Sequence, residues 1–462
     1  MLACAFLAAS STSVSAATTH WVNDDDPNGG TFVPPGRSCD DPGYPTIQSA
    51  VDAAAPGDRI NVCPGSYTEE VTIPPGKDNI LLRSVQLWAA VIKAPPVMFG
   101  PTKSIVRVNG ARAVTIRAFT ISGPGGSPCD SLRYGVRIDD GGSADVLRNH
   151  ITEIHDTPFS ECPNGIAVQV GETADPTVGS ARILGNAIDT YQRAGARVSN
   201  EGSFGEIAFN RIFGVGPTTV RPQNGVVMSN AASANIRHNF VAGNIFEPQT
   251  IHSTGILLFQ SGQVFVDHNT LRSNDTGVGM FEPAAGSTTT HNHVTASTFD
   301  GIALQPANGQ RVAFNKVERN GASGLLLDNA QGNEVYGNHV RRNGTENGDT
   351  TDGIRVTELS TGNTLRNNHL KDNTTHDCHD DSVGPGTDGT ANFWMNNHGR
   401  TSKPPGLCAA DDEDRDDDAD DRDDDSDDRD GNDRNDSWQR TMAAGWDPRY
   451  SRYFDGLLTP DR

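Results

Sequence analysis

The sequence predicts an all-β fold, a single-stranded parallel β-helix in which short strands wind into stacked coils, and three observations support this prediction. Aromatic residues make up only 6% of the 462-residue chain, whereas 49 residues are glycine. Short apolar strands recur through the middle of the chain, with no helical periodicity between them. Two sequence markers recur along these repeats with similar spacing. A solenoid suits such a chain because each coil buries little by itself and stacking buries the rest.

The first marker is a glycine that opens a short apolar strand, and the second is an asparagine two residues before an aliphatic residue. The glycine-led strands begin at Gly135, Gly165, Gly195, Gly225, Gly255, Gly277, Gly301, Gly324 and Gly353. The asparagine units begin at Asn149, Asn186, Asn210, Asn239, Asn269, Asn292, Asn315, Asn338 and Asn368. A leucine-rich repeat also has an asparagine position, but its regular leucine grid is absent here.

The short repeat leaves no room for a crossover helix between parallel strands. Each strand is therefore expected to pair with the same strand of the next coil. Alternate residues such as Val136 and Ile138 then stack inward. The asparagines are expected to form a ladder at a bend, where Asn tolerates left-handed backbone. The glycines are expected to permit tight corners.

An amphipathic helix is predicted near the N-terminal end of the solenoid. Apolar residues at positions 47, 50, 51 and 54 share one helical face, and Thr46 is the expected N-cap. Such a helix would cover the open end of the stack, hide its core and block edge pairing.

Three segments resemble pectin-lyase-like right-handed β-helix proteins. Residues 46–58 and 62–69 are similar to the entry segment of that superfamily, and residues 377–408 are similar to the last coil of its secreted bacterial members. The resemblance covers about residues 44–408 and implies a right-handed solenoid. It does not define an activity, because lyases, hydrolases, epimerases and non-enzymes share this fold.

The predicted organisation has five parts. Residues 1–16 are expected to be a signal peptide, because an apolar run passes into small residues ending at Ala16. A lead-in over 17–43 precedes the β-helix at 44–408. An acidic low-complexity linker follows at 409–436, and an aromatic segment of undetermined role at 437–462. We expect a secreted monomer with no membrane span.

Six cysteines remain after the predicted signal peptide is removed, and disulfides are expected. Residues in a solenoid contact only their own or adjacent coils, which favours pairing between sequence neighbours. The expected pairs are Cys39–Cys63, Cys129–Cys162 and Cys378–Cys408. A metal site is the alternative, but no pair has the two-residue spacing typical of zinc ligands.

The net charge of −22 is concentrated near the C-terminus. Between Asp411 and Asp436 there are 17 acidic residues and 4 arginines. Such a block repels itself, and disorder is the expected state. Calcium is the one candidate cofactor, because carboxylates are its preferred ligands. No part of the chain is basic enough to predict nucleic-acid binding.

The outward face of the glycine-led strands is the predicted binding surface. Its residues are polar, then apolar with aromatics, then polar again, which suits a linear sugar polymer. A surface shielded by inserts or by the tail is the alternative. The column consists of Arg137, Asp139, Gln169, Arg197, Ser199, Val227, Leu257, Phe259, Phe281, Ala303, Asp328, Arg355 and Thr357.

Two aspartates that precede glycine-led strands are the catalytic candidates. Asp352 lies in a Thr-Asp-Gly-Ile stretch that resembles a polygalacturonase motif, and Asp300 precedes the strand two coils earlier. At one strand spacing per coil their backbones would be about 9–10 Å apart, near the roughly 6.5–9.5 Å of inverting glycosidases. Other residues of that family motif are missing, and Asp-Gly is also a common turn pair.

A lyase is the second catalytic hypothesis. Arg355, beside Asp352 and Asp328, would neutralise a uronate or serve as base, although no lyase motif accompanies it. The substrate-binding candidates are Phe259, Phe281, Asp328 and Arg355.

Histidines also recur beside the asparagine series, and the stretch from His376 to Asp381 contains several metal-ligand residue types. The alternative for the recurring histidines is an exposed polar stripe. The alternative for the stretch from His376 to Asp381 is that it ends the solenoid. No metal site is assigned from the sequence.

The sequence therefore predicts a polysaccharide-binding protein, with cleavage by a lyase or a glycoside hydrolase as the enzymatic version. The alternative is a non-catalytic extracellular scaffold whose acidic tail binds cations.

Overall fold

The computed structural model describes residues 16–25, 31–129, 131–248, 251, 253–345 and 351–409. The predicted signal peptide, apart from residue 16, lies outside these residues. So do the acidic linker, apart from residue 409, and the aromatic C-terminal segment.

The described strands form three parallel sheets, one for each side of a coil. Sheet 1 carries the glycine-led strands and has thirteen described strands: Val71–Ile73, Ser104–Asn109, Tyr134–Asp139, Ile166–Val170, Ala194–Ser199, Asn224–Ser229, Thr254–Phe259, Thr276–Phe281, Ile302–Leu304, Leu325–Leu327, Ile354–Val356, Cys378–Asp380 and Ser402–Lys403.

Sheets 2 and 3 complete each coil in that order. Sheet 2 has fourteen described strands: Thr19–Val22, Arg59–Val62, Leu81–Ser84, Val114–Arg117, Gly142–Leu147, Gly179–Leu184, Phe204–Ala208, Ser233–Arg237, Val264–Asp267, Thr288–Thr290, Arg311–Ala313, Glu334–Tyr336, Thr364–Arg366 and Phe393–Met395. Sheet 3 has twelve: Gly65–Thr68, Ala90–Lys93, Thr120–Ser122, His150–Thr152, Ala187–Asp189, Arg211–Thr218, Phe240–Phe246, Thr270–Arg272, His293–Thr295, Lys316–Glu318, His339–Arg341 and His369–Lys371.

Every described strand pairs in parallel with the corresponding strand of a neighbouring coil, as the sequence predicted. The predicted lead-in also contributes to the stack, because Thr19–Val22 pairs with Arg59–Val62 in sheet 2. The predicted β-helix is therefore confirmed, and its first described strand lies before residue 44.

The core consists of aliphatic columns that run along the axis. In sheet 1, Val278 lies in register with Ile302, and Ile302 with Leu325. All three side chains are fully buried. Burial of such side chains contributes roughly 1.5–3 kcal/mol each, so the aliphatic columns stabilise the stack as a whole.

The glycines that enter sheet 1 allow close packing rather than an unusual backbone. A Cβ atom on Gly277 would lie 2.3 Å from Val294 of sheet 3, and one on Gly301 would lie 2.3 Å from Val317. Gly165 was wrongly aligned with this series. Register pairs Val168 with Val136 of the preceding coil, so Ala167 and not Gly165 takes the glycine position.

An asparagine ladder connects the coils at the corner between sheets 2 and 3. Asn338 shows the pattern: its Nδ2 donates to the carbonyl of Val312 at 3.0 Å and to Oδ1 of Asn368 at 2.9 Å. Its own Oδ1 accepts two hydrogen bonds from Asn315. The predicted ladder is confirmed, with these members: Asn149, Asn186, Asn210, Asn239, Asn269, Asn292, Asn315, Asn338, Asn368 and Asn397.

A short helix, Ile47–Ala53, covers the first coils, and the Thr46 hydroxyl accepts a hydrogen bond from the Ser49 amide. Ile47, Ala50 and Val51 are buried. This confirms the predicted capping helix. A 3-10 turn lies at Thr387–Gly389. All three predicted disulfides, 39–63, 129–162 and 378–408, are present.

No helix among the described residues is long and apolar enough to cross a membrane.

Replacing Asn338 with alanine is expected to destabilise the solenoid by roughly 2–4 kcal/mol, because several buried partners lose their hydrogen bonds at once. Urea denaturation followed by circular dichroism measures this change. The matched control is Gln331→Ala, because the Gln331 side chain is exposed. Equal stability of Asn338→Ala and the control would contradict the structural role of the ladder.

Candidate functional site

The register of sheet 1 aligns the residues predicted to face outward, but the first coils of this face are covered. Asp139, Gln169 and Ser199 are fully buried, which agrees with the alternative of a shielded surface at that end. Arg137 lies in register with Gln169, and Gln169 with Arg197. Farther along the same column, Leu326 is in register with Arg355. The parallel register brings side chains more than two hundred residues apart in sequence onto one straight surface.

The middle of this face is apolar. Phe259 and Phe281 are register partners, and the Phe259 ring is 45% exposed. The two rings line an open cavity of about 410 Å³ together with Leu257, Ile251 and Pro222. Flat, partly exposed rings beside polar groups are suited to bind the apolar faces of sugar rings.

A group of charged residues lies at the C-terminal end of the face. We call Asp352, Arg355, His376, His379 and Asp381 the Asp352 cluster. The sequence analysis identified Asp352 and Arg355 as site residues, but not the other three in this role. Register pairs Ile354 with Cys378 and Arg355 with His379, which places His376 to Asp381 directly beside Asp352 to Thr357.

Asp352 is the buried centre of the cluster, with 1% of its side chain exposed. Its Oδ1 lies 3.1 Å from Nδ1 of His376, and its Oδ2 lies 2.9 Å from Nδ1 of His379. Burial alone would raise the pKa of Asp352. The hydrogen bonds and charges of His379, His376 and Arg355 outweigh burial and hold that pKa below its usual value. Asp352 is therefore an anion at neutral pH.

His379 lies between two carboxylates. Its Nδ1 faces Asp352, its Nε2 lies 3.0 Å from Oδ1 of Asp381, and only 4% of its side chain is exposed. Nη1 of Arg355 also lies 2.7 Å from Nδ1. The same Nη1 lies 3.1 Å from Nε2. The imidazole is therefore held between two carboxylates and a guanidinium, and histidine is the side chain that most often acts as a general acid or base.

Positive charge surrounds Asp381 at the rim of the cluster. The Arg355 guanidinium contacts its Oδ2, and Nζ of Lys403 lies 3.3 Å from its Oδ1. Burial acts to raise the pKa of Asp381, but His379, Arg355 and Lys403 hold it below the usual value. Nε of Arg355 is buried without a hydrogen-bond partner. Arg355 and Lys403 are the cations that could meet an anionic ligand here.

Asp300 lies in a different environment. Its pKa is raised to about 7, mainly by burial. The Ser323 amide, which donates to Asp300 at 3.0 Å, opposes this shift, and the negative charge of Asp328 adds to it. Register of the following strands places Asp300 two coils from Asp352. The two aspartates therefore differ in protonation near neutral pH, although only 6% of Asp300 is exposed.

The stretch from His376 to Asp381 divides into outward and structural residues. Cys378 is buried in a disulfide, and Asp377 accepts hydrogen bonds from the backbone at Arg400 and Thr401. Asp380 accepts hydrogen bonds from the Ser382 amide and the Trp394 indole. These three residues tie the last coils together, and they do not form a ligand set with His376 and His379.

Asp352, His376 and His379 each direct a ligand atom toward a common point, within 4.8 Å of one another. Arg355 already contacts Oδ2 of Asp352 and both ring nitrogens of His379. A metal ion at that point would face a guanidinium in contact with its ligands. These residues therefore fit a cation–carboxylate cluster better than a metal centre.

The histidines beside the asparagine ladder form two stacks. Rings of His238, His268 and His291 follow one another, with centroids 5.2 and 4.7 Å apart. His268 and His291 both face Asp267, but their rings are within 13° of parallel. In-plane lone pairs of parallel rings do not converge on one ion. The second stack contains His339, His369 and His398.

Comparison with known proteins agrees with this fold. The family model described as "Right handed beta helix region" matches residues 224–397. A search of curated proteins finds no match. Among solved structures, the periplasmic alginate epimerase AlgG is 12% identical, with a TM-score of 0.48 over 76% of this chain and 82% of its own.

Two further solved structures are similar at lower TM-scores. The A-module of the mannuronan C-5 epimerase AlgE6 of Azotobacter vinelandii is 14% identical, with a TM-score of 0.38 over 76% of this chain and 88% of its own. The DFA-IIIase of Arthrobacter chlorophenolicus A6 is 14% identical, with a TM-score of 0.41 over 79% and 89%.

The strand topology and the family model define the class. This chain is a right-handed parallel β-helix protein, and the resemblance to pectin-lyase-like solenoids that the sequence predicted is confirmed at the level of fold.

Asp300→Asn is expected to stabilise the protein more at about pH 8 than at about pH 4.5. The folded-state pKa near 7 lies above the unfolded value, so the wild type loses stability as pH rises from about 4 through 7. The variant avoids this loss of roughly 2–4 kcal/mol. Thermal unfolding at both pH values measures it, with the exposed Glu201→Gln as control. A pH-independent effect would contradict the raised pKa.

Proposed function

We propose that this chain is an exported protein that binds an acidic polysaccharide along sheet 1 and acts on it at the Asp352 cluster. The observation that carries the proposal is the position of His379, between two carboxylates and against Arg355, at one end of an aromatic-lined face. The disulfides support export, because disulfides persist in oxidising compartments outside the cytosol.

The binding part of the proposal rests on the arrangement of the face. Phe259 and Phe281 offer ring faces to a sugar, and Asp328 and Arg355 offer polar contacts farther along. A straight face built of stacked coils spreads its contacts along a line. This arrangement suits a linear polymer better than a compact small molecule.

The chemistry best suited to the Asp352 cluster is proton abstraction next to a carboxylate. Arg355 and Lys403 would neutralise the uronate carboxylate, which makes the hydrogen on the adjacent carbon more acidic. His379 would remove that proton through Nε2, in place of its contact with Asp381, while Asp352 orients the ring through Nδ1. The electron pair forms a carbon–carbon double bond, and the glycosidic oxygen leaves and takes up a proton. The product is an unsaturated uronate.

Hydrolysis by Asp300 and Asp352 is the second candidate function. Its specific support is that the pKa values of the two carboxyls are shifted in opposite directions, as a general acid and a general base require. Against it, Asp300 is sealed under the face and both oxygens of Asp352 are already hydrogen bonded. Elimination requires Asp381, which is 30% exposed, to move away from Nε2 of His379, whereas hydrolysis requires the buried Asp300 to be uncovered. This difference favours elimination over hydrolysis.

His379→Gln is expected to abolish formation of unsaturated product while leaving polymer binding within about threefold of the wild type, because His379 transfers the proton and Phe259 and Phe281 supply the binding contacts. The measurement is ultraviolet absorbance of the product over a panel of pectic and alginate polymers. Binding is measured separately by calorimetry. His268→Gln, on the exposed histidine stack, is the matched control.

Different outcomes separate the alternatives. New reducing ends without unsaturated product, lost in Asp300→Asn and in Asp352→Asn, would replace elimination by hydrolysis. Binding without any product in the wild type would favour a non-catalytic scaffold. Full activity of His379→Gln would contradict the assignment of His379 as the proton-transfer residue.

A further inference from the structure

A second polar cluster lies on the same face of sheet 1, six coils before Arg355. Arg137, Gln169 and Arg197 occupy successive positions of the outward column. At one strand spacing per coil, Arg197 is about 29 Å from Arg355 along the axis. The apolar surface around Phe259 and Phe281 lies between the two clusters.

Two buried polar atoms in this cluster have no hydrogen-bond partner: Nη2 of Arg137 and Oε1 of Gln169. The Arg137 side chain is 4% exposed, and Gln169 is fully buried. Nε2 of Gln169 donates to the carbonyl of Gly171 at 2.5 Å, which sets the orientation of the amide. Leaving a buried polar group unpaired destabilises the folded protein. A ligand that supplies one acceptor to Arg137 and one donor to Gln169 would satisfy both atoms.

A sugar acid could pair with both the unpaired donor of Arg137 and the unpaired acceptor of Gln169. A uronate residue offers a carboxylate, which accepts from arginine, and hydroxyl groups, which donate to an amide oxygen. Sulfate offers acceptors only and would leave Oε1 of Gln169 unpaired. A buried water could also bridge the two groups, and the experiment below distinguishes it from a sugar.

An acidic side chain of this chain lies beside the unpaired donor. Oδ2 of Asp175 is 3.6 Å from Nη2 of Arg137, which is an ion pair but not a hydrogen bond. Asp175 belongs to the turn between Glu172 and Thr177, whose backbones pair with each other. The Tyr134 hydroxyl anchors this turn by donating to Glu172 at 2.8 Å. Asp175 is 69% exposed and can move away without unpacking the core.

Charges of both signs surround the cluster: Nε of Arg137 donates to Oδ2 of the buried Asp139 at 2.5 Å, and several arginines lie nearby. The pKa of Arg193 is lowered to about 10 by burial first and then by the neighbouring Arg197 and Arg221, while Glu172 opposes them. Nε of Arg221 is also buried without a hydrogen-bond partner. An anion would relieve this repulsion.

We propose that Arg137, Gln169 and Arg197 form a subsite for a carboxylate-bearing sugar residue, with Asp175 occupying the carboxylate position until a sugar displaces it. The subsite rests on the proposed function, because it would hold the same polymer that reaches the Asp352 cluster. It makes the ligand a polyanion, long enough to span both clusters.

The decisive variant is Asp175→Asn, which removes the competing charge at an exposed position. It is expected to tighten binding of long oligouronates by about three- to tenfold, because the ligand no longer displaces a carboxylate from Arg137. Disaccharides bound only at the Asp352 cluster are expected to bind unchanged. Calorimetry with galacturonate and mannuronate oligomers of increasing length measures both effects. Asp140→Asn, another partly exposed aspartate paired with an arginine of this face, is the matched control.

Sulfate at equal concentration is expected to compete poorly with the oligomers, because it cannot donate to Gln169. Equal affinity of Asp175→Asn and the wild type at every oligomer length would overturn the subsite, whether or not turnover occurs at the Asp352 cluster, and would indicate a bridging water. The subsite does not depend on catalysis. Tighter binding by Asp175→Asn without any product would therefore support the subsite and contradict only the proposed chemistry. Absence of oligouronate binding to all variants would overturn both.

Discussion

Parallel pairing of each strand with the same strand of the next coil is the constraint on which the rest of this structure depends. Sheet hydrogen bonds fix the register, and the asparagine ladder fixes it again at the corner, where each member bonds the next coil through side chain and backbone. A slip by one residue would turn the aliphatic columns outward. Because the register cannot slip, a residue's place within its repeat determines which surface it occupies.

The functional face is a consequence of this register. Polar groups that are distant in sequence, such as Arg137, Arg197, Arg355 and His379, stand in one column, with Leu257 between them. Two charged clusters therefore flank an apolar stretch. In the Asp352 cluster the carboxylates stay ionised because histidine and arginine contact them, whereas Asp300, lacking such partners, has a raised pKa. The contrast arises from neighbours rather than from residue type.

Much of the fold could be predicted, because glycine, asparagine and cysteine positions report directly on the repeat. The exact alignment of the repeats could not be predicted. Ala167 takes the position that glycine occupies in the neighbouring coils, and the flanking sequence does not show that Gly165 is out of register. His379 and Asp381 were missed as site residues because Asp377 replaces the glycine marker in their strand. Their 24-residue offset from Arg355 and Thr357 was the available signal. The contact of Asp175 with Arg137 depends on a turn whose path no repeat pattern specifies.

The most direct test of the account is hydroxyl-radical footprinting of the protein with and without a long acidic oligosaccharide. The account predicts protection of Phe259 and Phe281 on sheet 1. His291, on the stack beside the asparagine ladder, and Phe314, whose ring stacks on His291 with centroids 5.3 Å apart, are expected to keep their reactivity. Protection of the ladder-side stack, with Phe259 and Phe281 unchanged, would contradict the claim that sheet 1 is the binding face.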